Sequence, residues 1–138
     1  MSNNNETLRN SINDVEAGYE YMLAYAAQGL IDEPTSGGSG PSIRVYLEKM
    51  QNGLVSIVDD FETVIKDATG DNAELYLNYL SVLKEDAAKS KKAVDLVMSL
   101  PSIGSQVIDN LNASIHLRAI LTDIFLIDEA LTSLSRHQ

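Results

Sequence analysis

The side chains able to bind metal or move protons are few, and their spacing excludes several chemistries at once. Only two histidines occur, His116 and His137, the second one residue from the end. Carboxylate-bridged metal centres in helical bundles need glutamates on facing helices together with Glu-x-x-His pairs, because metal, bridge and imidazole must converge inside. The chain contains no Glu-x-x-His, so no metal site is expected. It contains no cysteine, which removes thiolate metal sites, disulfides, covalent haem attachment and thiol catalysis together. A nucleophilic triad would have one internal histidine to draw on, and no serine stands in a nucleophile-elbow motif. The stretch Gly37-Gly38-Ser39-Gly40 precedes a helix start, where anions bind. Pro41-Ser42 follow it in place of the Gly-Lys-Ser/Thr of a nucleotide loop, with Arg44 as the nearest cation. Glu16, Glu20, Asp60, Asp86 and Asp123 remain, lying beside apolar seams where carboxylates ordinarily set helix pairing and solubility. No catalytic residue is expected from these patterns.

The elements that must position any such group are helices. Apolar residues recur at alternating three- and four-residue spacing, which keeps them on one helical face that leaves water only against other helices. The first segment, about 6–28, carries Leu8, Ile12, Val15, Tyr19, Met22 and Ala26, with Gly29 as its stop. The second, about 41–68, places Pro41 in its first turn and runs Ile43, Leu47, Met50, Leu54, Ile57, Phe61, Val64, Ala68 to a stop at Gly70. Asp71 and Glu74 have capping-box spacing at the start of the third, about 72–100, which carries Tyr76, Leu80, Leu83, Ala87, Ser90, Val94 and Val97 and stops before Pro101. The fourth, about 105–135, carries Ala113, Leu117, Ile120, Ile124, Ile127, Leu131 and Leu134. Residues 30–40, rich in glycine, serine and proline, read as a flexible loop. Four segments of similar length with short turns predict an all-α fold, an antiparallel up-down-up-down four-helix bundle, in one domain over 1–138.

Composition narrows the partners. The chain has 138 residues, 44% of them hydrophobic, which suffices for one core without metal or disulfide support. Twenty acidic residues against ten basic give a net charge of −10, which repels a phosphate backbone or an anionic lipid surface. The cluster Lys84, Lys89, Lys91 and Lys92 is interleaved with Glu85, Asp86 and Asp95 and reads as a solvated helix face. Neither nucleic acid nor membrane is therefore an expected partner. The polar start, Met-Ser-Asn-Asn-Asn-Glu, does not resemble a secretory signal, and no apolar run approaches the roughly 18 residues of a membrane span. A cytoplasmic protein is expected.

His116 allows one sharper reading. In the expected bundle it shares one half of the molecule with Met22, and Met/His axial ligation is one way a bundle holds haem. In those two residue types and the topology the arrangement resembles the b-type four-helix cytochromes, which implies a haem-type cofactor between Met22 and His116 as the alternative function. Around the same residue, Ser-Ile-His-Leu-Arg-Ala is similar to the phosphotransfer helix of histidine kinases. It departs from that family's His-x-Leu-Lys-Gly pattern by lacking the glycine and shifting the basic residue.

The fourth segment carries more apolar surface than one core-facing stripe requires. Ile108, Leu111 and Ile115 form a second stripe, and Leu121, Phe125 and Leu126 lie outside the main seam. Leu75, Tyr79 and Val82 on the third segment, and Tyr21 and Tyr25 on the first, repeat the pattern more weakly. A helix apolar around most of its circumference is covered on more than one side. The primary expectation is a non-enzymatic protein without cofactor that works through protein–protein contact, by self-association as a homo-oligomer or with a protein partner. Ile108, Leu111, Ile115 and Phe125 are its candidate interface residues.

Overall fold

The computed structural model describes residues 2–34 and 42–137, and every regular element among them is helical. The described residues form five α-helices: α1 (Ser2–Ala27), α2 (Ile43–Ala68), α3 (Ala73–Met98), α4 (Ser105–Asn112) and α5 (Ile115–Arg136). The expected mobile stretch from 35 to 40 and the helix start at Pro41 lie outside the described residues. Residues 30–34, the near part of the expected loop, are pinned by hydrogen bonds described below.

Local chemistry accounts for most boundaries. Gly29 takes φ 66°, a left-handed value that ends α1 at small steric cost. Ser42 caps α2 by accepting from Val45 N–H at 3.3 Å. At the far end of α2 the Thr69 amide and hydroxyl both donate to the Ile65 carbonyl, at 3.1 and 2.8 Å. Gly70, at φ 50°, then opens a single 3-10 turn, Gly70–Asn72. That turn absorbs Asp71, so the expected capping box does not open α3. Asn72 stands at its N-cap without a side-chain cap hydrogen bond.

The expected fourth helix is two helices. Ser114 adopts an extended backbone, φ −64° and ψ 141°, and its hydroxyl accepts from Leu117 N–H, so it caps α5 and breaks the run at Ala113–Ser114. The break resets helical phase. In one continuous helix the Ile108 and Leu111 stripe would face away from the Leu117–Leu131 stripe. With the phase released, Ile108 and Leu111 turn inward to 0% and 5% exposure, while Ala113, expected inside, is exposed.

Packing brings α1 against α2, α2 against α3, α3 against α5, and α4 back against α1. In two of these pairs, α1 with α2 and α3 with α5, numbering falls on one member as it rises on the other. Along α1 and α2, Asn4 bonds Asp67, Ser11 bonds Ser56 and Asp60, and Gly18 lies against Met50. Along α3 and α5, Tyr76 bonds the Ala130 carbonyl, Tyr79 bonds Asp123, and Ser90 bonds the His116 carbonyl. Ser90 and Ala87, small for core positions, are both buried and let α5 begin close to α3. The core runs between the helices, with Leu47, Ile57, Phe61, Leu83, Ile108, Leu117 and Ile124 nearly or wholly buried.

One end is tied by polar groups. Arg44 forks onto Glu33 at 2.9 Å and donates to the Met98 and Leu100 carbonyls at 2.9 and 2.7 Å, satisfying carbonyls at and beyond the end of α3. This assigns Arg44 to the frame, whatever stands at 37–40. Leu30 exchanges hydrogen bonds with Ser105, and the Tyr25 hydroxyl donates to the Ile103 carbonyl at 2.6 Å. Gly104 permits this crossing, because a Cβ there would fall 2.5 Å from the Ile31 carbonyl oxygen.

Candidate functional site

The feature with unspent chemistry is the seam between α3 and α5. Its floor is built from residues two turns apart on α3, Tyr79 and Asp86, facing Asp123 on α5. The Tyr79 hydroxyl donates to Asp123 Oδ1 at 2.8 Å, and the Asp123 side chain is almost wholly removed from water. Asp123 Oδ2 is buried and receives no hydrogen bond, and the Asp86 carboxyl is a close neighbour of the Asp123 side chain. Ionised carboxylates only accept, so the two acids can bond each other only when one of them holds a proton. Burial first, and then the neighbouring Asp86, push Asp123 up to about 6. Burial and the bond to Asp123 likewise push the Tyr79 phenol up to about 12, so it remains a donor at neutral pH.

Beside this pair the seam opens into an apolar trough of about 350 Å³, lined by Leu75, Tyr76, Tyr79, Leu126, Ile127 and Ala130. Leu75 and Leu126 stand on its rims at 69% and 56% exposure. Both tyrosine hydroxyls are spent inside the chain, Tyr76 on the Ala130 carbonyl and Tyr79 on Asp123, so the trough offers a visitor little but carbon.

The four candidate interface residues divide. Ile108 and Leu111 belong to the chain's own core, for the phase reason already given, and are absent from the surface. Ile115 and Phe125 lie on the surface of α5 at 75% and 57% exposure, so two of the four remain open to contact. The pair considered for haem is not brought together: Met22 is fully buried in the core, whereas His116 is exposed at the start of α5. Of the carboxylates beside the seams, Asp86 and Asp123 meet each other, and Asp60 accepts from Ser11. Among the described residues no group of three or more histidine, cysteine, aspartate or glutamate side chains is placed to hold a metal ion, and no helix is long and apolar enough to cross a membrane.

Sequence reasoning named Asp86, Asp123 and Tyr79 separately and missed their meeting. Tyr79 and Asp86 are seven residues apart, two turns along one face, and that spacing is the signal that could have joined them. Nothing local marks Asp123 as the partner. Asn112 was missed as well: it is buried at the end of α4 with neither amide atom bonded to a protein group.

No protein-family model matches the chain, and neither does any curated protein or solved structure.

Proposed function

We propose that this chain is a non-enzymatic protein that acts through contact with other polypeptides, built as an antiparallel up-down-up-down bundle of four rods in which α4 and α5 together make the fourth. The observation that carries the reading is the apolar surface α5 leaves in water, with Ile115, Phe125 and Leu126 each more than half exposed on one 22-residue helix. Scattered exposed apolar residues are ordinary, but large ones gathered on a single element mark contact surfaces. A homo-oligomer through the Ile115 and Phe125 side of α5 is the simplest form of that contact, since an isologous interface needs one surface only.

Sedimentation of the purified protein at micromolar concentration tests it. The expected species is larger than the monomer and reverts to monomer in Phe125→Asp and Ile115→Asp, both of which keep the helical circular dichroism signal. A monomer at every concentration, unchanged by either substitution, removes self-association.

A further inference from the structure

The trough and the carboxyl pair lie along one seam, and together they specify an occupant. The trough is open rather than enclosed, with Leu75 and Leu126 standing in water along its rims, whereas small-molecule sites bury most of their ligand. An extended peptide would bring unpaired backbone groups to a nearly all-carbon wall whose two hydroxyls have already donated their protons, whereas a helix satisfies its own backbone and presents side chains alone. The occupant's inner face must be apolar, because the tyrosine hydroxyls beneath it are already bonded to Ala130 and Asp123.

Charge selects the outer face. Asp71 stands one turn before Leu75, Glu129 one turn after Leu126, and Asp86 two turns along α3 from Tyr79, whose hydroxyl meets Asp123. Of the cations nearest that stretch, Arg136 is already paired with Glu129 at 3.5 Å, Lys84 lies in the groove between α3 and α2, Lys89 lies a further turn beyond Asp86, and Arg118 stands five residues before Asp123, so acids still outnumber free cations along the seam. A second copy seated here would bring two like-charged seams of a −10 chain together, whereas a cation meets charge complementarity and a carboxyl pair short of a donor.

We propose that the α3–α5 seam receives an amphipathic α-helix from a cationic protein, its apolar side seated between Leu75 and Leu126 and a lysine or arginine meeting Asp86. This takes the general contact reading as its premise and shares Leu126 with it, but Leu75 and Asp86 belong to the seam alone and Phe125 lies outside the trough, so substitutions at those positions distinguish the two failures.

The test uses the full chain and a fluorescently labelled synthetic leucine–lysine helix about five turns long, with a leucine–glutamate helix of the same apolar pattern as control. Fluorescence anisotropy at neutral pH and physiological salt reads binding. The leucine–lysine helix binds and the leucine–glutamate helix does not. Leu75→Asp weakens binding by roughly tenfold or more, as loss of a central apolar anchor does. Asp86→Asn weakens it by about threefold to tenfold. Leu96→Asp, an equally exposed leucine at the other end of α3, and Phe125→Asp leave it unchanged. Binding indifferent to both Leu75→Asp and Asp86→Asn is diffuse attraction to an acidic protein and overturns the proposal. So does equal binding of the glutamate helix. An oligomer in sedimentation that Leu75→Asp dissociates puts a second copy in the trough, which sinks the cationic occupant while self-contact survives.

Discussion

The α1–α2 interface and the α3–α5 seam each hold an acid, half-buried Asp60 in the first and buried Asp123 in the second, and they treat it oppositely. Between α1 and α2 the helices close on glycine: a Cβ at Gly53 would fall 2.8 Å from Val15 and 3.0 Å from the Ser11 carbonyl oxygen. At the same level Ser11 donates to Asp60 at 2.5 Å. Having spent its one proton, Ser11 accepts from Ser56 at 2.7 Å. Between α3 and α5 a single tyrosine donor serves Asp123, one oxygen is left over, and the rims remain oily. The first interface is finished within the chain. The second is closed against water at its floor and open at its edge, so its polar groups are left less completely satisfied.

The largest effect should come from breaking the finished interface. Gly53→Val forces a branched side chain into space already held by Val15 and the α1 backbone, and we expect a loss of about 3 kcal/mol, the upper end for overpacking. Urea denaturation measures it, and a loss below about 1 kcal/mol would mean that α1 and α2 separate freely at that level.

The unfinished seam should respond in the opposite direction. Asp123 holds its proton more tightly folded than unfolded, since it is raised from 3.8 to about 6. Its contribution to stability is therefore complete below 3.8, declines as pH rises through about 6, and is lost above that. Asp123→Asn keeps an acceptor for Tyr79 and removes the charge, so at mildly alkaline pH it should stabilise the fold by up to about 2 kcal/mol. It should also flatten the dependence between these two values. Thermal unfolding across the pH range reads both, and a variant less stable than the parent in alkali would show that the ionised pair is tolerated.

The smallest effect sharpens the comparison. Ser56→Ala removes one donor from Ser11 and should cost about 1 kcal/mol. Urea denaturation measures it, and a loss as large as that of Gly53→Val would mean that the Ser56 hydroxyl, and not close helix packing, holds the α1–α2 interface.

Much of the frame was legible because it depends on local rules. The apolar run that starts at Ile43 put its stripe of α2 inside as far as Val64, while its last member, Ala68, is exposed; Gly29 and Gly70 ended helices as expected, both at positive φ. The helix break at Ser114 was missed because one capping hydroxyl weighs little against twenty residues of favourable periodicity, although Ser114 carries the expected cap chemistry. That miss moved Ile108 and Leu111 from a supposed surface into the core. Leu75, Tyr79 and Val82 were visible as a second stripe, but whether a stripe is covered depends on which helix lies beside it, and no residue's own neighbours state that.

The sequence by itself determined that this chain is helical, where most helices stop, and which faces must leave water, because hydrogen bonding within a helix and the spacing of apolar side chains are local properties. Only the tertiary structure decided that Asp123 would face Asp86 beneath Tyr79 and that a trough would open between Leu75 and Leu126. Those outcomes depend on how α3 and α5 align, and that alignment is fixed by packing between residues more than forty positions apart, such as Tyr79 and Asp123.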